Sequence, residues 1–152
     1  MKIREYQPPD RRGYQALREK LWPDCTDADN DVWFARDDAT TFLAFRDDGS
    51  MCGFVEVGSR PYAEDCATSP VGYIEGWWVD DDMRRHGVGR ALLDAAETWA
   101  RGMGYTEMAS DALLENLTSH AAHRACGYQE VERLVCFRKA LIQTKPGPPP
   151  SR

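Results

Sequence analysis

The residues from Trp77 to Leu93 contain the parts of an anion site. An apolar run ends in Asp80, Asp81 and Asp82, and the basic turn Arg84-Arg85-His86-Gly87-Val88-Gly89-Arg90 follows. Gly87 and Gly89 leave backbone N–H groups uncovered, and a helix starting there adds partial positive charge. Arg84 and Arg85 add full charges, so the fitting guest is a phosphate or pyrophosphate. A basic helix cap that binds nothing is the plain alternative. The lysine and hydroxyl of a triphosphate loop are missing, and Leu92 stands where a dinucleotide fingerprint needs its third glycine.

Two carboxylates flank this turn in sequence. Glu75 lies in the preceding strand, where alternation places it on one face with Tyr73, Trp77 and Val79. A carboxylate among aromatics needs a partner. It can anchor an ammonium, act as a base through water, or simply face solvent. Asp111 follows the next strand at its C-terminal end, where ligands of α/β sheets sit, unless it only caps a helix. His120, His123 and Cys126 fall at three-residue steps, but on a helix the third points away from the first, so no metal is expected. No Gly-x-Ser-x-Gly elbow supports serine hydrolase chemistry.

The elements that must hold these residues can be read in order. Lys2–Tyr6 is a strand, and Asp10 can cap a helix reaching Leu21, which Trp22-Pro23 ends. A short helix holds Val32, Trp33 and Phe34. Thr40–Phe45 and Met51–Val57 are strands joined by a turn at Gly49, and Ser59–Pro70 is a polar loop containing Tyr62. Val71–Val79 enters the basic turn. Val88, Leu92, Ala95 and Trp99, with Ala96 and Met103 beside them, mark a helix with one buried face. Thr106–Ser110 is the next strand, Asn116–Ala125 a helix ended by Gly127, and Val131–Leu141 a final strand. The order describes an α+β fold with a mixed sheet. Residues 1–143 form the expected single domain, and the proline-rich 144–152 a flexible tail.

With 152 residues, 42% of them hydrophobic, the chain can bury a proper core. It lacks an apolar run long enough for a membrane span and a signal-peptide pattern, so the cytoplasm is expected, with reduced cysteines. The net charge of −6 disfavours nucleic acid and suits a cationic substrate.

Arg84-x-x-Gly87-x-Gly89 after an apolar strand resembles the acetyl-CoA motif of the GNAT N-acetyltransferases. Ser69 to Trp77, Trp22-Pro23, Ser110-Asp111 and Asn116 more specifically resemble the bacterial aminoglycoside 6'-N-acetyltransferases, and the resemblance runs from Met1 to about Ile142. It implies the GNAT acyltransferase fold, a mixed, mostly antiparallel sheet flanked by helices. It implies that the backbone of Trp77, Trp78 and Val79 holds acetyl-CoA like an added strand, with the Val79 N–H polarising the thioester. The pyrophosphate would lie on Arg84, Arg85, His86 and Gly87 and on Val88, Gly89 and Arg90, and Asn116 would touch coenzyme A. The aminoglycoside would meet Trp22, Tyr62, Glu75, Asp111 and Glu132, with Glu75 the first choice for chemistry by direct attack in a ternary complex. A homodimer is expected on the same ground. Many family members carry a tyrosine general acid four residues before the glycine ending the last helix. Here that position is His123, a general acid or a mere helix residue. Another amine substrate, or a non-catalytic acetyl-CoA sensor, are the alternative functions.

Overall fold

Gly49 adopts φ 87°, the left-handed turn that folds β2 (Thr40–Phe45) back as β3 (Met51–Arg60). With β1 (Lys2–Glu5), β4 (Val71–Val79) and β5 (Met108–Ser110) these strands form one sheet in the order β1-β2-β3-β4-β5. Every pairing is antiparallel except that of β4 with β5, which is parallel. This computed structural model describes residues 1–143, and the tail expected over 144–152 lies outside the described residues.

Helices cover both faces. On one, α1 (Arg11–Leu21) sets Tyr14 and Leu17 against Leu43, Phe45 and Phe54. The short α2 (Asp27–Phe34) starts with a capping box, in which the Asp29 carboxylate accepts from the Thr26 N–H at 2.6 Å. On the other face, α3 (Val88–Gly102) packs Val88, Leu92, Leu93 and Ala96 onto Ala44, Val55, Val57 and Ile74. Its buried stripe adds Leu93 and Ala100, while Ala95 and Trp99 are only half-buried and Met103 is exposed. The apolar arc of this helix is broad, and the sheet beneath decides which side of it is covered. α4 (Leu117–Ala125) lies on the α3 side, where Arg90 donates to the Ala125 carbonyl and the His123 ring meets Trp77 edge-on at 5.2 Å.

The α1 face also buries a charge. Glu56 of β3 is 2% exposed and accepts from Tyr14 Oη and, at 2.6 Å, from Arg18 Nε. Arg18 Nη1 donates to Asn30 Oδ1 at 2.6 Å, and Asn30 donates to Gln15 at 2.6 Å. Burial pushes the Glu56 carboxyl above its ordinary value, against the opposing pull of Tyr14 and Arg18.

The expected final strand over Val131–Leu141 does not form. No regular element follows α4 among the described residues, and Val135, Phe137 and Leu141 are exposed at 79%, 92% and 92%. Strand propensity needs a ladder to act on. Among the described residues the short β5 is paired with β4 alone, so this apolar segment has no strand beside it.

Candidate active site

β4 and β5 part after Ile74. Gly72, Tyr73 and Ile74 pair with Met108, Ala109 and Ser110. From Glu75 to Val79 the β5-facing edge of β4 has no strand partner among the described residues, while its other edge stays on β3. A row of unpaired N–H and C=O groups beside such a gap can take an extended, amide-bearing chain as an added strand. Trp77, Trp78 and Val79 lie on this stretch.

Glu75 is the inserted residue of a β-bulge. Glu56 pairs with Gly76 and Val57 with Ile74, so nothing on β3 stands opposite Glu75. A bulge interrupts alternation and re-aims side chains. Trp77 and Val79 therefore pack with Ile74 on the α3 side, while Trp78 packs on the α1 side. This corrects the expected grouping of Glu75 with Trp77 and Val79, because period-two alternation does not survive an extra residue. Glu75 stays with Tyr73, and the residue that joins them is Arg60.

Arg60 Nε and Nη2 donate to Glu75 Oε1 and Oε2 at 2.9 and 2.7 Å. The guanidinium carbon lies 3.6 Å from the centre of the Tyr73 ring, and Nη2 is 3.9 Å from Asp111 Oδ2. Tyr73 in turn donates its hydroxyl to Asp111 Oδ2 at 2.5 Å. Glu75 and Asp111 thus share one cation. The expected loop over Ser59–Pro70 hid Arg60. β3 runs on through it, paired with Val71, and only that longer pairing sets it beside Glu75.

Arg60, Tyr73 and Asp111 border a cleft of about 1560 Å³, lined also by Trp22, His123 and Glu132 among others. Trp22 closes one wall with the edge of its indole against Gly76, where an added Cβ would come 2.3 Å from the ring. Arg18 lies 4.9 Å from the centre of the same ring. Tyr62 is 68% exposed and is not part of this wall. Glu132 borders the cleft from the irregular segment after α4.

The basic turn forms as the glycine spacing requires. Arg85 and Gly87 take φ 62° and 80°, and the intrahelical bond that closes the first turn of α3 runs from Ala91 N to Gly87 O at 3.0 Å. The amides ahead of Ala91 therefore project from the helix end without an intrahelical acceptor. Gly89 lies against Trp77, whose ring would be 3.0 Å from an added Cβ. Trp77 Nε1 is buried with no hydrogen-bond partner, an unmet donor beside that helix end. A pyrophosphate-bearing chain fits this cradle. Arg84 is already engaged, donating from Nε to the Val79 carbonyl at 3.0 Å and pairing with Asp81 at 2.9 Å. His86 Nδ1 is 2.8 Å from the Arg84 carbonyl. Asn116 caps α4, accepting from the Ser119 N–H at 3.1 Å.

His123 Nδ1 lies 2.7 Å from the Ser119 carbonyl, and Nε2 lies 2.8 Å from Ser110 Oγ. A carbonyl only accepts, so Nδ1 carries the hydrogen, and in the neutral ring Nε2 accepts from Ser110. In this arrangement neither nitrogen offers a free proton to a leaving thiolate. Among the described residues no group of ligating side chains gathers around a metal position, and His120 is turned to the Leu113 carbonyl at 2.9 Å.

Residues 3–128 match the model of the Acetyltransferase (GNAT) family. The chain is 44% identical to aminoglycoside N(6')-acetyltransferase type 1 of Stenotrophomonas maltophilia, over 91% of this chain and 93% of that one. It is 42% identical to the protein of the same name from Klebsiella aerogenes, over 91% and 96%. Among solved structures, AAC(6')-IG of Acinetobacter haemolyticus superposes with a TM-score of 0.85 at 36% identity, covering 93% of this chain and 99% of that one. AAC(6')-Iy in complex with the bisubstrate analogue CoA-S-monomethyl-acetylneamine does so with a TM-score of 0.85 at 34% identity, covering 91% and 97%.

Proposed function

The chain belongs to the GNAT acetyltransferase family, and from that premise we propose that it acetylates the 6'-amino group of aminoglycoside antibiotics with acetyl-CoA, giving resistance to them. The observation that carries the reading is the open edge of β4 ending at a shared carboxylate site. Acetyl-CoA lies along Glu75–Val79 with its pyrophosphate at the first turn of α3, and the aminoglycoside enters the acidic cleft from the other side.

The chemistry needs no covalent enzyme intermediate. The amine lone pair attacks the thioester carbonyl, a C–N bond forms, the C–S bond breaks, and the amine gives up a proton. The backbone N–H of Val79 stabilises the oxyanion. Glu75 and Asp111 hold the substrate ammonium groups, and Glu75 is the carboxylate placed to receive the proton, directly or through water. Trp22 and Tyr73 supply flat walls for the sugar rings. One acetyltransferase domain over residues 1–143 carries all of this, in the cytoplasm where the thioester is made.

A thiol-release assay with acetyl-CoA tests the function. Neamine and kanamycin are expected to be turned over far faster than spermidine or a peptide N-terminus. Preference for one of the latter would reassign the substrate, and acetyl-CoA binding without release on any amine would mark a sensor. Gly89→Val, which crowds Trp77 and the amides of the turn, is expected to weaken acetyl-CoA binding about tenfold or more in calorimetry. Unchanged affinity would remove the pyrophosphate from that turn.

The enzyme works as a homodimer. What supports this is the apolar segment after α4, where Val135, Phe137, Leu141 and Ile142 stand exposed together. Light scattering should give twice the 17.2 kDa chain mass, and truncation before Val131 should lower it.

A further inference from the structure

We propose that Arg60 is a resident cation, holding the ammonium position of the substrate site until the substrate displaces it. The inference rests on the reading of Glu75 and Asp111 as substrate anchors. Three contacts give Arg60 the character of a stand-in. It pairs with both Glu75 oxygens through the Nε–Nη2 edge of its guanidinium, at 2.9 and 2.7 Å. It stacks on Tyr73 at 3.6 Å, as a ligand cation stacks on an aromatic wall. It reaches within 3.9 Å of Asp111, the second anchor. Arg60 borders the cleft, whereas Glu75 itself does not, so the arginine lies between the anchor and the incoming ligand.

The arrangement has a physical reason. A carboxylate only 21% exposed at a bulge is costly to leave unpaired, and Arg60 compensates it while no ligand is bound. The other arginine near this edge, Arg36, is fixed elsewhere, bidentate on Asp38 at 2.9 and 3.0 Å and on the Ser59 carbonyl at 2.9 Å. Arg60 is also free to leave. Its side chain is 41% exposed against 21% for Glu75, so water and solutes reach the pair from the arginine side. A polyamine that offers neighbouring ammonium groups can replace it at Glu75 and Asp111 together. The guanidinium then swings into the cleft mouth. A substrate must therefore outbid a built-in competitor, and the apparent affinity is lowered by the fraction of sites that Arg60 closes.

Steady-state kinetics with acetyl-CoA and neamine test this. For Arg60→Ala the expected result is a KM for neamine lower by about two- to fivefold, the range of an exposed ion pair, with kcat near wild type. The same substitution in a Glu75→Gln background should lower KM by clearly less than it does in the wild type, because only the longer contact to Asp111 at 3.9 Å remains to be removed. Arg60→Lys, which keeps the charge but loses the fork, should fall between Arg60→Ala and wild type. A KM for Arg60→Ala that is unchanged or raised overturns the proposal, since a structural or substrate-contacting arginine would behave in that way. Melting temperatures accompany each variant. If Arg60→Ala does not fold, Arg60→Gln keeps the stem over Tyr73 without the charge and carries the same expectation. If Glu75→Gln alone leaves both kcat and KM unchanged, the anchor assignment beneath the proposal fails. If only the Arg60 effect is missing, the anchor stands and the resident cation falls.

Discussion

Glu75→Ala is expected to lower kcat/KM for neamine by about a hundredfold or more, the scale both of a lost proton acceptor and of a lost buried charge contact. The structure concentrates this effect on one residue. The bulge in β4 aims Glu75 away from Trp77 and Val79 and toward Tyr73, at the point where the strand loses its β5 neighbour. On the proposed function, thioester and amine meet across one residue of β4. Glu75→Gln keeps the shape and hydrogen-bonding capacity but not the charge or the basicity. If Glu75 takes the proton, Gln resembles Ala and the loss sits in kcat. If Glu75 only holds an ammonium, the loss sits in KM and kcat is largely kept. Turnover by Glu75→Ala within a few-fold of wild type would take Glu75 out of the mechanism altogether.

Arg18→Met should cost about 3–5 kcal/mol of folding stability in urea titration at neutral pH, because it strands Glu56 as an uncompensated buried charge. That is a large part of what a domain of this kind holds in reserve. The pH dependence has a definite sign. Burial raises the Glu56 carboxyl already in the intact protein, and removing Arg18 raises it further. A carboxyl whose folded value lies above its unfolded value contributes most below the unfolded value, and that contribution is lost as pH rises through the folded one. The deficit of Arg18→Met should therefore be largest near neutrality and shrink on acidification toward the ordinary carboxyl range. Adding Glu56→Gln removes the stranded charge while leaving an acceptor for Tyr14, and should restore much of the stability at pH 7. A deficit independent of pH, or no recovery in the double variant, would mean that Arg18 stabilises by packing on Trp22 rather than through Glu56.

The two experiments probe neighbouring parts of one structure. Glu56 pairs with Gly76, the residue after Glu75, and Arg18 lies over the indole of Trp22, which lines the cleft. The buried network on the α1 face thus backs the Trp22 wall of the cleft. Loss of Arg18 is expected to raise KM for neamine even in the molecules that remain folded.

What the sequence determined by itself is the local chemistry. The spacing of Arg84, Gly87 and Gly89 dictates a turn with positive φ and free helix amides, because backbone geometry is decided within a few residues. The same holds for the hairpin at Gly49, for α3 and for the helix beginning near Asn116. Glu75 and Asp111 were legible as carboxylates at strand positions in need of partners. Tertiary structure decided who those partners are. Arg60 is fifteen residues from Glu75 in the chain, and only the extended β3 and the register shift opposite Glu75 bring them together. Where a bulge falls is not written in the residues of a single strand, because it is a relation between two strands. His123 has its tautomer set by a carbonyl one helical turn away and a serine on β5. Val131–Leu141 carries strand propensity, yet a strand exists only where another backbone completes its hydrogen bonds, and among the described residues none does.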